Sequence, residues 1–289
     1  MLHAHLKPFN AACIQMCSGR NIERNRDDLI ILVREGVSMG AQFVQTPEMT
    51  NILERDRAKL FESVVSGDED LVLVAMQEQA REAHIFIHLG SLAVKCGEKL
   101  VNRSFVIDPD GQIIARYDKI HLFDAVLPNG ESWCESATYH AGDTPVTLDL
   151  PWGKLGLSIC YDVRFPALYQ NLAQQGAVFM SAPAAFTRPT GELHWEILQR
   201  ARAIETTSFM ISACQAGSHE DGRQTYGHSM IVDPLGHVIA EAKGDFETQK
   251  PCVIMAQIDP QRVIQVREKM PVLKHTRSFA PMSDLSWAD

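Results

Sequence analysis

The sequence predicts an α/β fold in which two sheets pack together and helices cover the outer faces. Patterns typical of strands and of amphipathic helices alternate along the chain. Two segments of the first half also reappear in the second. SFVIDPDGQIIA at 104–115 is similar to SMIVDPLGHVIA at 229–240, and GAQFVQTPE at 40–48 is similar to GAVFMSAPA at 176–184. Although Asp-Pro-x-Gly alone is a common turn, both repeats together favour two packed sheets over one doubly wound sheet.

Hydrophobic periodicity predicts the elements of the first half. The segment at 21–40 has the spacing of an amphipathic helix and closes on a glycine. In order we expect a strand at 9–16, that helix, a short buried strand at 40–48, helices over 55–83 interrupted at SGDED, and strands at 84–94 and 99–120 with a hairpin at DPDG.

The second half opens with a polar, irregular segment at 121–145, a length that points to a functional loop. No linker-like or low-complexity stretch separates the halves, so we expect a single domain spanning residues 1–289. The remaining predicted elements are a strand at 154–160, a helix at 166–176, a strand at 177–184, a helix at 192–206, strands within 208–217, 226–242 and 252–259, and a helix at 259–270.

Composition narrows the class of protein. Apolar residues make up 45% of the 289 residues, enough for a sizeable core. The formal net charge of −9 and the lack of a basic stripe argue against a nucleic-acid partner. The first ten residues lack a secretory apolar segment, and no run of 18 apolar residues suggests a membrane span. The seven scattered cysteines favour reduced thiols over disulfides, so we expect a cytoplasmic protein.

Three reactive side chains end strand-like segments: Glu48, Lys119 and Cys160. The carboxyl ends of strands form the ligand crevice of α/β folds. A thiol can attack a carbonyl, a carboxylate can take its proton, and an ammonium with the backbone N–H of Tyr161 can stabilise the oxyanion. Separately, each side chain also fits an ordinary role as core thiol, loop acid or edge-strand lysine. Together they suit amide hydrolysis through an acyl-enzyme.

The sequences around these residues resemble a known family. TPEMT, RYDKIHLFD and LSICYDVRFP are similar, in order and spacing, to the signature motifs of the nitrilase superfamily, the carbon–nitrogen hydrolases. The resemblance continues through GESWCES, AFTRPTGELHWEILQRARAIET, YGHSMIVDPLG and REKMPVLKHTR, so it covers nearly the whole chain. It implies an αββα sandwich of two mixed sheets with helices on the outer faces. It also implies a homodimer or a higher homo-oligomer, with the tail at about 271–289 contributing to the dimer interface.

The same resemblance implies roles for the reactive residues. Cys160 would be the nucleophile, Glu48 the general base and then the acid, and Lys119 the group that stabilises the tetrahedral intermediates. A second glutamate near the thiol is typical of the family. Glu135, in the CES sequence, fits its position better than Glu131, in the GES sequence, although either could be a solvated loop carboxylate.

Within the superfamily, the segments RFP, HWEILQRARAIET and YGHSM resemble most the branch of deaminated glutathione amidase and ω-amidase. This implies a small carboxylated amide as substrate, such as deaminated glutathione or 2-oxoglutaramate, with release of ammonia. Its carboxylates need cations or hydroxyls, and Arg164 and Thr187 are the candidates. Arg164 could equally form an ion pair that pins the turn or a subunit contact.

Other activities stay open at this point. An N-carbamoyl compound or a nitrile is the alternative substrate, and a catalytically silent scaffold is the alternative from another class. The presence of all three reactive residues argues against the scaffold. No metal is expected, since HExxH is absent, and no nucleotide cofactor, since GxGxxG and GxxxxGK[ST] are absent. His194 and Trp195 are expected to pack beside the site.

Overall fold

The computed structural model describes residues 6–127, 130–244 and 246–278. Over these residues two mixed sheets lie face to face with helices outside, which confirms the predicted αββα sandwich. Phe9 of the first sheet packs against Phe179 of the second, with ring centroids 5.3 Å apart, and also stacks on Trp152 at 4.2 Å. Aromatic side chains thus join the inner faces into one core.

Over the described residues, the first sheet has seven strands, two of which lead to reactive residues. Its strands are β1 (Phe9–Gln15), β2 (Phe43–Gln45), β3 (Phe86–Cys96), β4 (Lys99–Ile107), β5 (Ile113–Asp118), β8 (Tyr139–His140) and β17 (Cys252–Ile258). The strand order is β17-β1-β2-β3-β4-β5, and β8 also pairs with β4. Strand β2 precedes Glu48, and the edge strand β5 precedes Lys119.

The second sheet comprises β9 (Thr147–Leu150), β10 (Gly153–Gly156), β11 (Ala177–Ser181), β12 (Phe209–Ser212), β15 (Met230–Val232) and β16 (Val238–Glu241). Its order is β16-β15-β12-β11-β10-β9. Two separate hairpins pair β6 (Asp124–Val126) with β7 (Ser132–Cys134) and β13 (Ala216–Ser218) with β14 (Gln224–Tyr226).

The pairing pattern explains the repeated sequences. From β17 to β5 the successive pairs are antiparallel, parallel, parallel, antiparallel and antiparallel, and β9 to β16 repeat this series. The final hairpin of each sheet turns at Asp-Pro-x-Gly, where the side chain of Asp108 or Asp233 accepts two backbone N–H bonds. The two halves of the chain therefore form equivalent sheets.

Helices shield the outer faces. The helices are α1 (Ile22–Ser38), α2 (Arg57–Ser63), α3 (Leu71–Ala83), α4 (Pro166–Gln174), α5 (Arg188–Thr206) and α6 (Pro260–Lys269). Helices α1 and α3 pack on the first sheet, and α4 and α5 on the second. Successive side chains of β1 point to opposite faces of the sheet. Ala11 and Cys13 face the other sheet, while Ala12 and Ile14 face the helices.

Several predicted boundaries shift in the structure. Strand β10 ends at Gly156 although the hydrophobic pattern of a strand continues to Cys160. Beyond Gly156, side-chain oxygens accept backbone N–H bonds that a neighbouring strand would otherwise accept. Ser158 N donates to Ser181 Oγ at 3.3 Å, and Ile159 N donates to Asp162 Oδ2 at 2.8 Å. The irregular segment at 121–145 contains the β6–β7 hairpin and β8, and α5 begins at Arg188, four residues before its predicted start.

Among the described residues, no helix combines the length and apolar character needed to cross a bilayer. All seven cysteines are free. Residues 1–5 and 279–289 lie outside the described ranges. The single domain over 1–289 and the dimer contact by 271–289 therefore stay predictions.

Candidate active site

The structure brings the predicted residues from both sheets to one cavity. Glu48 lies shortly after β2, Lys119 directly follows β5, and Cys160 begins a short 3-10 turn beyond β10. All three line the cavity together with Glu135, which lies just after β7. Because the sheets lie face to face, side chains at the ends of strands far apart in sequence meet in one place.

The ammonium of Lys119 lies between two carboxylates. Its Nζ is 2.9 Å from Glu48 Oε1, and 3.0 and 2.9 Å from the two oxygens of Glu135. The Lys119 side chain is only 2% exposed, and those of Glu48 and Glu135 are 5% and 12% exposed. A buried ammonium with two partners is fixed in position and cannot exchange them for water.

Asn102, on β4, connects the same two carboxylates. Its Nδ2 donates to Glu48 Oε1 at 2.9 Å and lies 3.2 Å from Glu135 Oε1. Its backbone carbonyl accepts the N–H of Lys119 at 3.0 Å. Asn102 therefore orients both the lysine backbone and the carboxylates. No sequence motif marks Asn102 as a site residue, although the DPDG hairpin register, which pairs Arg103 with Asp118, places it opposite Lys119.

Cys160 is held in an unusual backbone conformation. Its φ is +49°, in the left-handed region that L-residues with a Cβ seldom adopt. Its N–H donates to Pro183 O at 2.9 Å. The buried carboxylate of Asp162 supports the turn by accepting bonds from the Tyr117 hydroxyl at 2.7 Å and from the N–H of His121 at 3.0 Å. The strain is thus balanced by a satisfied buried network.

Burial and charge set the protonation of the cluster. Burial acts to raise the pKa of Glu48, but the charge of Lys119 and hydrogen bonds with Cys160, Lys119 and the Ala185 N–H keep it below its ordinary value of 4.5. Burial acts to lower the pKa of Lys119, but Glu135 and Glu48 raise it well above 10.5. Burial and then the charge of Glu48 raise the pKa of the Cys160 thiol well above 9.0, against the opposing charge of Lys119. Near neutral pH the cluster is therefore carboxylate, ammonium and uncharged thiol.

The second oxygen of Glu48 also has a defined partner. Glu48 Oε2 accepts the backbone N–H of Ala185 at 2.7 Å, while the carbonyl of nearby Pro183 accepts the N–H of Cys160. The segment after β11 therefore ties the carboxylate and the thiol to one another. This arrangement keeps a base and a nucleophile in register without a histidine.

The cavity has a volume of about 350 Å³. That size suits a small molecule and not a polymer. Apolar and aromatic walls alternate with cationic side chains, the latter being Lys119, Arg55, Arg57 and Arg223. Within the described ranges, no group of three or more His, Cys, Asp or Glu side chains is arranged to hold a metal ion.

The structure separates the two candidate glutamates. Glu135 binds Lys119 and also accepts the N–H of Phe123 at 2.6 Å. Glu131 instead pairs with Arg55. Only Glu135 thus belongs to the carboxylate–lysine cluster.

The two candidate substrate-binding residues differ in position. Thr187 lines the cavity, where its hydroxyl bonds with that of Thr190 at 2.7 Å. Arg164 is not on the wall. Its guanidinium packs 5.1 Å from the ring centre of Phe186, which does line the cavity, and lies 3.3 Å from His194 Nδ1. His194 therefore packs beside the site through Arg164.

Three further residues line the cavity but were not predicted from the sequence: Arg55, Trp133 and Arg223. They come from the segment before α2, the β6–β7 hairpin and the β13–β14 hairpin. Nothing in their local sequence marks them, because only the folded chain brings them together. Asp162 lies in the CYD sequence, so the sequence places it close to Cys160. The sequence does not show that its carboxylate supports the turn that carries Cys160.

Comparison with known proteins shows the family to which the chain belongs. The family model described as carbon–nitrogen hydrolase matches residues 10–268. A protein of Synechocystis named deaminated glutathione amidase is 41% identical over 277 residues, covering 93% of this chain and 98% of that protein. The structure is also similar to that of Saccharomyces cerevisiae Nit3, described as a member of branch 10 of the nitrilase superfamily, with a TM-score of 0.81 and 27% identity over 92% of this chain and 95% of Nit3.

A second solved structure is similar over most of this chain. The NitFhit protein of C. elegans superposes with a TM-score of 0.87 and 34% identity, covering 95% of this chain. This chain spans only 66% of that longer protein. The matched family model, the Synechocystis relative and the shared fold lead to one conclusion: the chain belongs to the carbon–nitrogen hydrolase family of the nitrilase superfamily and is an amidase.

Proposed function

We propose that the chain hydrolyses the amide bond of a small carboxylated substrate through a thioester on Cys160. The observation that carries this proposal is the buried cluster in which Glu48 interacts with both the Lys119 ammonium and the Cys160 thiol. A base, a nucleophile and a cation that share one cavity are the parts that amide hydrolysis requires.

Acylation begins when Glu48 takes the proton of the Cys160 thiol as sulfur attacks the amide carbon. The S–C bond forms, and the carbonyl electron pair moves to oxygen. The Lys119 ammonium and the Tyr161 N–H stabilise that oxyanion. The carbon–oxygen double bond then re-forms and the C–N bond breaks, while Glu48 returns the proton to the departing nitrogen. A thioester remains on Cys160.

Deacylation repeats the pattern with water. Glu48 takes a proton from water as its oxygen attacks the thioester carbon, and Lys119 and Tyr161 again stabilise the oxyanion. Collapse breaks the C–S bond, and sulfur recovers the proton from Glu48. The products are a carboxylic acid and the amine or ammonia, and the enzyme returns to its starting protonation.

Glu135 and Asn102 act through Lys119 as positioning residues. Since Lys119 needs a fixed location to stabilise a short-lived oxyanion, the bidentate contact from Glu135 preorganises the charge. Asn102 restrains Glu48 and the backbone of Lys119 at the same time.

As substrate we propose deaminated glutathione, the compound named in the Synechocystis relative, or an ω-amide such as 2-oxoglutaramate. Both present a 2-oxoglutaryl group to the nucleophile. Ammonia leaves 2-oxoglutaramate, but the amide nitrogen of deaminated glutathione belongs to cysteinylglycine, so there a dipeptide amine leaves. Thr187, on the cavity wall, is the proposed partner of the carboxylate on the 2-oxoglutaryl side, and Arg164, behind Phe186, is proposed to attract that carboxylate by its charge without contacting it.

We further propose a homodimer in the cytoplasm. Helix α5 exposes apolar side chains on one face: Leu193 at 60%, Ile197 at 68% and Ile204 at 48% exposed. Spacings of four and seven residues align them in a stripe of the kind that subunit contacts cover. Sedimentation of the purified protein tests this assembly, and a monomer at micromolar concentration would contradict it.

The decisive test measures 2-oxoglutarate, the acid product that both proposed amides share. A panel adds an N-carbamoyl amino acid and a nitrile, scored by ammonia. We expect wild type to release 2-oxoglutarate and folded Cys160→Ala to release none. Intact mass after a short substrate pulse should show a 2-oxoglutaryl adduct on wild type that is absent from Cys160→Ala and also from Glu48→Gln, because Glu48 is needed for acylation as well as for deacylation. Turnover by Cys160→Ala would refute the nucleophile, and inactivity on the whole panel would favour a silent scaffold.

A further inference from the structure

A second cationic group lies on the cavity wall apart from Lys119. The guanidinium of Arg55 lies 4.1 Å from the ring centre of Trp133, and that of Arg223 lies 4.8 Å from it. All three residues line the cavity that contains Cys160. Two like charges beside one indole form an electropositive group, which we call the Arg55–Trp133–Arg223 cluster.

The cluster contains hydrogen-bond donors without acceptors. Trp133 Nε1 and Arg223 Nε are both buried and have no hydrogen-bond partner among the described residues. The Arg223 side chain is 16% exposed, and its closest carboxylate, that of Asp221, lies 3.5 Å from Nη2, longer than a strong charge-assisted bond. Buried donors normally have partners, so the cluster lacks an acceptor that a ligand can supply.

Nearby carboxylates do not neutralise this charge fully. Glu131 pairs with Arg55, and Asp221 lies 3.5 Å from Arg223. Glu54 pairs with Arg20 at 2.9 Å, so Arg57 adds a positive charge beyond these pairs. Glu48 and Glu135 are occupied by Lys119. Arg57 also lines the cavity and is exposed there. The missing acceptor should therefore be an anion.

We propose that the Arg55–Trp133–Arg223 cluster is a subsite for a carboxylate at the far end of the leaving group. This inference rests on the proposed function and specifies its substrate as an amide with an acid at each end. A carboxylate offers two acceptor oxygens, which match a guanidinium fork and an indole N–H. In deaminated glutathione, the glycine carboxylate occupies that position, whereas 2-oxoglutaramate has nothing there.

The first experiment compares deaminated glutathione with its C-terminal carboxamide, which is identical apart from the charge. Wild type should favour the acid by about 10- to 100-fold in kcat/KM, the range for one charge-assisted bond. Arg223→Gln should reduce this preference at least about 10-fold, mainly through KM, and Arg223→Lys should restore part of it. Trp133→Phe should reduce it less, since only one donor is lost. Arg34→Gln, on the surface of α1, is the matched control and should keep the preference of wild type.

A binding measurement keeps the inference independent of catalysis. Calorimetry compares N-acetyl-cysteinylglycine with its carboxamide, so that only the leaving-group half is present. Wild type should bind the acid about 10-fold or more tightly, and Arg223→Gln should bind both alike. Equal binding of acid and carboxamide by wild type would overturn the subsite, even if amide hydrolysis is observed. A preference for the acid in wild type that persists in Arg223→Gln and Arg55→Gln would also overturn it, while inactivity on every amide would refute only the proposed function.

Discussion

Glu135 holds the ammonium of Lys119 with both oxygens of its carboxylate, at 3.0 and 2.9 Å. An ammonium held in this way is directed by geometry and not by the surrounding water. Since the lysine also contacts Glu48, the position of Glu135 would, in the proposed mechanism, determine how far the positive charge is shared between the base and the developing oxyanion.

Replacing Glu135 by Gln should therefore lower kcat by about 100-fold with little change in KM, because an oxyanion-stabilising charge loses its fixed position. The amide has one acceptor oxygen for the three donors that now bind Glu135, which are the Lys119 ammonium, the Asn102 amide and the Phe123 N–H. Steady-state kinetics on 2-oxoglutaramate measures the effect.

Glu131→Gln is the matched control for that variant. Both glutamates precede a serine in the same loop, but Glu131 pairs with Arg55 and not with Lys119. We expect its kcat on 2-oxoglutaramate to stay within about threefold of wild type. A similar fall in kcat in Glu131→Gln and Glu135→Gln would mean that Glu135 does not position Lys119.

The pH profile follows from the pKa shifts of the cluster. Glu48 must be ionised to accept a proton, and its pKa lies below 4.5, so activity is lost only as pH falls through that low value. The Cys160 thiol and Lys119 have pKa values raised well above 9.0 and 10.5, so both stay protonated at moderate alkalinity. We expect kcat/KM to be level from about pH 5 to about pH 9.

Initial rates across buffers of constant ionic strength check this profile. An acid limb with an apparent pKa near 6.5 would point to a histidine as the base. A rise in activity through about pH 8.5 would show that a free thiolate must form before attack. Either result contradicts proton transfer from a neutral thiol to Glu48.

Glu48, Lys119 and Cys160 could be singled out from the sequence because each ends a strand-like segment, but only the resemblance to the family motifs made the set persuasive. A strand-like segment is defined by neighbouring residues, so its end can be recognised in the sequence without knowledge of the fold. Glu135 was assigned by its place in a family motif. The two repeated segments together, SFVIDPDGQIIA with SMIVDPLGHVIA and GAQFVQTPE with GAVFMSAPA, likewise predicted two packed sheets, although the Asp-Pro-x-Gly turn alone would not have done so.

The remaining parts depend on long-range contacts that periodicity does not encode. Arg55, from the segment before α2, and Arg223, from the β13–β14 hairpin, come near each other only because both pack on Trp133 of the β6–β7 hairpin. The end of β10 was misplaced because a buried side chain, Asp162, competes with the strand ladder for the N–H of Ile159. The hydrophobic pattern of the sequence does not change at Gly156, so it gives no sign that the strand ends there.

Asp162 itself offers a test of the strained turn. Its carboxylate is fully buried and accepts bonds from Ile159, Tyr117 and His121, so Asp162→Asn turns an amide N–H₂ toward at least one donor. We expect the free energy of unfolding to fall by about 2–4 kcal/mol. Because the turn carries Cys160, kcat should fall as well. Denaturant titration and kinetics on one preparation measure both.

Tyr117→Phe provides the comparison, since it removes one hydroxyl bond and leaves the carboxylate in place. Its unfolding free energy should fall by only about 1 kcal/mol, and its kcat should change less than that of Asp162→Asn. A larger loss in Tyr117→Phe than in Asp162→Asn would mean that the tyrosine, and not the carboxylate, organises the turn.

Gly90 on β3 packs between the segments that carry the base and the nucleophile. A Cβ at this position would overlap the carbonyl oxygen of Thr46, two residues before Glu48, and the ring of Pro183, whose carbonyl binds the N–H of Cys160. Gly90→Ala should therefore separate thiol and carboxylate, lowering kcat by about 10-fold or more while costing about 1–3 kcal/mol of stability. Kinetics and thermal unfolding measure the two effects.

Gly36→Ala distinguishes this crowding from the general effect of adding a methyl group. Gly36 is also buried, but a Cβ there would meet Ala12 and Val253 at 3.6 Å, an ordinary contact distance. Because alanine favours a helix interior, α1 should gain up to about 1 kcal/mol, with kcat unchanged. If Gly90→Ala keeps the kcat of wild type, the two segments can shift apart without disturbing the reaction. The requirement for a close fit between Glu48 and Cys160 would then be wrong.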